Sequence, residues 1–141
     1  MSMTQQDVDH FISEVLHYVP TLARREAILR TVVNRLTSQG LVVSTRFDTD
    51  QSATERVEGE GGGIVRLSLL PGAACLWGLV HELGHVLREP TALAHAEDPM
   101  ATLHREREAW GKGWDFVCSL HPEIGSAQQE FASRLGVPRG L

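Results

Sequence analysis

Apolar residues recur every three to four positions at the start of the chain. Val8, Phe11, Ile12, Val15 and Leu16 share one face, which predicts an amphipathic helix over residues 5–18. Pro20 interrupts it. Leu22, Leu29, Val32, Val33 and Leu36 mark a second helix, and Gly40 stands where a helix C-terminus favours glycine. The pattern then shortens. "LVVSTRF" (41–47) and "GIVRLSLL" (63–70) are rich in β-branched residues and partly alternate, as strands do. Between them a polar connection ends in "GEGGG" (59–63), which reads as a mobile loop. No Gly-Lys-Ser/Thr follows it, so it is not a phosphate-cradling loop.

Pro71-Gly72 punctuates the chain, and "AACLWGLVHELGHVL" (73–87) reads as a long helix. A loop through Pro90 and Pro99 leads to a fourth helix at about 102–120. Pro122 suits a first helical turn, and Ile124, Ala127, Phe131 and Leu135 give a fifth helix. Two helices, two strands and three helices define an α+β fold with a small, antiparallel-containing sheet. At 141 residues the expectation is one domain. Within it lie a helical part (1–40), the sheet and motif helices (41–120), and a C-terminal helix (121–141).

Within the third helix, the fifth element of the chain, stands "HELGH" (81–85). In a chain with 7 His, H-E-x-x-H arises by accident in roughly 3% of shufflings, so its surroundings must decide. Leu76, Leu79, Val80, Leu83, Val86 and Leu87 form one broad apolar face of that helix, and His81 and His85 lie away from it, one turn apart. Two imidazoles so placed can hold one zinc ion, with Glu82 at the edge of the same opening as a general base rather than a ligand. A His six residues after His85 would mark a metzincin, but Thr91 stands there.

A third ligand must then come from elsewhere, and "HREREAWGKGW" (104–114) offers Glu106 and Glu108. Leu103, Ala109, Trp110, Gly113, Trp114, Val117 and Leu120 form the inward face of their helix, with Glu106 in its middle and Glu108 on the opposite side. An unpaired carboxylate on an apolar face is costly, whereas one bound to zinc is not. Glu106 is therefore the expected third ligand and Glu108 the alternative. Small Ala109 and Gly113 would let the two helices approach closely. The three tryptophans, Trp77, Trp110 and Trp114, are expected at that helix interface.

"HELGH" followed by "ExEAW" (106–110) resembles the compact gluzincin zinc peptidases, in particular the ImmA/IrrE family. Lys112-Gly113 stands where that family usually has Phe-Ala. The resemblance implies a zincin-like domain with Zn²⁺ on His81, His85 and Glu106, Glu82 as catalytic base, and an extended substrate pairing with the strand at 64–69. It also implies hydrolysis of a peptide bond in a specific protein, such as a regulator. The rival readings are a regulatory protein-binding module with a zinc site, and a zinc hydrolase acting on another amide. Substrate choice would lie in loops 49–62 and 89–101.

Charge and the termini add exclusions. A net charge of −5 argues against direct nucleic-acid binding, and Arg24, Arg25, Arg30 and Arg35 read as a solvated helix face. The polar N-terminus lacks a signal-peptide pattern, and no apolar run is long enough to span a membrane. Cys75 and Cys118 read as small core residues in a reduced cytoplasm.

Overall fold

Thr4 starts the first helix by a reciprocal cap. Its Oγ1 accepts the Asp7 N–H at 3.1 Å, and the Asp7 carboxylate accepts the Thr4 N–H at 2.9 Å. The computed structural model describes residues 3–46, 55–57, 63–69, 72–87 and 99–127. They divide into two compact units, residues 1–79 and 80–141, with the division inside one helix.

In the first unit, α1 (Gln5–Tyr18) buries Val8, Phe11, Ile12 and Val15. The predicted second helix is split. Pro20 opens a 3₁₀ segment, Pro20–Arg25, and α2 runs only over Glu26–Ser38, burying Ile28, Leu29, Val32, Val33 and Leu36. Gly40 closes α2 at φ 85°. Its N–H donates to the Thr37 carbonyl at 3.0 Å, and the Leu41 N–H donates to the Leu36 carbonyl at 3.2 Å. This pair of bonds is a Schellman motif, which only a left-handed residue permits cheaply. Of the four arginines read as a solvated face, Arg24 and Arg35 are exposed, and Arg30 meets Asp9 at 2.6 Å and Glu26 at 3.6 Å. Arg25 lies 5.1 Å over the Trp77 ring.

The sheet has three strands, β1 (Val42–Arg46), β2 (Glu55–Val57) and β3 (Ile64–Ser68), in the order β1-β3-β2. β1 and β3, the two strands legible in the sequence, pair parallel from Val42↔Ile64 to Arg46↔Ser68. Short β2 pairs antiparallel to β3 from Glu55↔Arg66 to Val57↔Ile64. On β3, Val65 and Leu67 are buried while Ile64 and Arg66 are exposed. This order corrects the expected substrate position. Over Ile64–Arg66 both edges of β3 already carry a strand, so no extended substrate can add there.

A 3₁₀ turn, Gly72–Ala74, leads into α3 (Cys75–Leu87). In the second unit, α4 covers Pro99–Leu120. Pro99 is thus its first residue and not part of the preceding loop, because a helix N-terminus has no use for that N–H. The expected fifth helix is a 3₁₀ segment, Pro122–Ala127, as far as the described residues run; Phe131 and Leu135 lie outside them. The class is α+β, mostly helical. Among the described residues no helix is long and apolar enough to cross a membrane. Cys75 and Cys118 are free thiols, and burial pushes the Cys75 thiol up to about 12.

Candidate metal centre

The two helices of the second unit approach until their backbones touch. A Cβ on Gly84 would overlap the Ala109 carbonyl, and one on Gly113 would overlap the Val80 carbonyl. Small residues on both helices therefore bring the His-bearing turn of α3 against the Glu106 turn of α4. His81 Nε2 lies 3.3 Å from Glu106 Oε1, and His85 Nε2 lies 2.7 Å from Oε2. The two imidazole centroids are 4.6 Å apart. One ligand atom from each of the three residues falls within 4.8 Å of the others.

These positions suit a divalent metal. Ligand atoms around a tetrahedral zinc stand about 3.3 Å apart, since each bond is about 2.0–2.1 Å. The His81–Glu106 separation already matches that edge; the His85–Glu106 contact is shorter and would open on metal binding. His81 Nε2 is buried and has no hydrogen-bond partner, because its approach to Glu106 is not aligned for one. A buried ring nitrogen left this way wants a partner, and a bound cation would supply one. The close approach of His81 foremost, and of His85, holds the Glu106 carboxyl well below the usual carboxylate range. The carboxylate is therefore already in its metal-binding form.

Trp110 is the residue that sequence reasoning placed too loosely. Its ring stacks on His81, with centroids 3.5 Å apart and planes 13° from parallel. The signal was present, since Trp110 follows Glu106 by one helical turn and so shares its face. Trp77 lies in the first unit, with Arg25 over its ring. A ring clamped on one face keeps its nitrogen aimed, and outer contacts of this kind tune metal affinity. Trp110→Ala is accordingly expected to weaken zinc binding by about 10–100-fold. Trp110→Phe, which can still stack, should stay within a few-fold of wild type. Competition with a chelating dye checks both, and equal affinity of the alanine variant overturns the role.

Glu82 is part-buried on α3 between the two histidines. Glu108 is exposed and not in the cluster. His104 is exposed, and His121 Nδ1 lies 3.7 Å from Glu123. His95, and loops 49–62 and 89–98 apart from β2, lie outside the described residues. No family profile, curated protein or solved structure matches this chain.

Proposed function

We propose that this protein is a zinc-dependent peptidase of the gluzincin type, hydrolysing a peptide bond in a specific cytoplasmic protein. The observation that carries this reading is the convergence of His81, His85 and Glu106 on the helix turn that also bears Glu82. When bound, zinc supplies Lewis-acid chemistry, polarising a carbonyl and acidifying water. His81, His85 and Glu106 hold the ion. The Glu82 carboxylate accepts the proton of the attacking water and passes it to the leaving amine nitrogen. A purely structural zinc site would need no such base.

Elemental analysis of protein purified without added metal tests the metal. One zinc per chain is expected, lost in His81→Ala, His85→Ala and Glu106→Gln but kept in Glu108→Gln. Wild-type protein free of zinc, and unable to take it up, would sink the reading. Zinc retained in Glu106→Gln would remove Glu106 from the ligand set.

A further inference from the structure

One edge of the sheet is built to receive a strand. β1 is an outer strand, paired on one side only among the described residues. Its Val42 N–H donates to the Gly63 carbonyl at 3.1 Å, on the β3 side. Successive N–H groups along a strand point to opposite edges, so those of Val43 and Thr45 face outward. The Val43 N–H does so, donating to Met3 Sδ at 3.2 Å. A thioether is a weak acceptor, and a peptide carbonyl in its place would bind that N–H better.

Along this edge runs a groove of about 460 Å³ between β1 and α1, wholly within the first unit. Phe11 and Val43 lie at its floor, almost fully buried, and its α1 wall carries Asp7, His10 and Glu14. Glu14 Oε1 accepts the Thr45 hydroxyl at 2.7 Å, which holds this carboxylate beside the strand edge. No Lys or Arg lines the groove. Outward backbone groups specify an extended chain, and the two carboxylates of the α1 wall a cation. A second copy of this chain fits poorly, because pairing two β1 edges would bring two acidic walls to one seam.

We infer that the outer edge of β1 is a docking site for an extended, Lys- or Arg-bearing segment of a partner protein. The segment pairs with Val43 and Thr45, displaces the Met3 thioether, and sets its cation against Asp7 and Glu14. This site shares no residue with the metal centre and does not rest on the peptidase reading.

The test uses the full chain and a fluorescein-labelled hexapeptide of alternating Lys and Val. Anisotropy and amide NMR are read with and without zinc. Saturable binding is expected in both, with Val43 and Thr45 among the largest shifts. The same peptide with a methylated backbone, and a Glu-for-Lys version, should each bind at least about tenfold more weakly. Met3→Ala should tighten binding, and Glu14→Gln, which can keep the Thr45 contact, should weaken it. Equal binding of the methylated peptide would reduce the effect to charge alone and overturn the proposal. So would largest shifts away from β1, or self-association that shields these two amides.

Discussion

Glu82→Gln is expected to lower kcat/KM for a cleaved peptide by about 10²–10⁴-fold while leaving one zinc per chain. The amide has the size and helix propensity of the carboxylate but cannot accept a proton. His81, His85 and Glu106 converge without it, so the metal should stay. The two readouts separate the possible failures. Zinc retained with full cleavage would remove Glu82 from the chemistry. Zinc lost together with activity would mean that Glu82 holds the site rather than serving as its base. Wild-type protein that holds zinc but cleaves nothing would favour a binding role for the site. A proteome comparison between cells with wild type and Glu82→Gln identifies the substrate, as one intact protein that accumulates.

Gly84→Ala is the second large effect, and it acts through packing alone. The added methyl meets the carbonyl of Ala109, a backbone group on α4 that cannot rotate away. Overpacking against a fixed group costs about 1–3 kcal/mol or more. In a chain of this size this corresponds to a melting temperature lower by roughly 3–12 °C. The alternative to overlap is for α3 and α4 to move apart, which carries His81 and His85 away from Glu106. The variant should therefore lose most of its zinc as well as stability. Gly111→Ala supplies the control on the partner helix α4, since a Cβ there meets nothing within 4 Å. An exposed helical glycine replaced by alanine should gain about 0.5–1 kcal/mol and leave zinc unchanged. Calorimetry with metal analysis reads both variants, and a Gly84→Ala protein with wild-type stability and zinc would contradict the close crossing.

The spacing of apolar residues was sufficient for much of the fold. It located α1, α2 and the buried face of α3, because a helix repeats every 3.6 residues and each turn reports its own burial. The same arithmetic put His81 and His85 on one stripe and separated Glu106 from Glu108 on α4. The glycine after α2 was legible for a different local reason, its freedom to adopt positive φ.

What spacing could not decide was which distant segments meet. β2 is three residues long, too short for alternation to register, yet its presence makes β3 the central strand. The break between Pro20–Arg25 and α2 likewise left the apolar period intact. Trp110 could be assigned to a face, but its stacking on His81 depends on how near two helices come. That nearness rests on Gly84 against Ala109 and Val80 against Gly113, pairs about 25–33 residues apart along the chain. Periodicity is a property of one element, so the sequence by itself determined the faces each helix presents and the residue types capable of binding metal. Strand order and the distance between α3 and α4 are set by contacts between elements, where a single methyl group matters, and only the tertiary structure decided them.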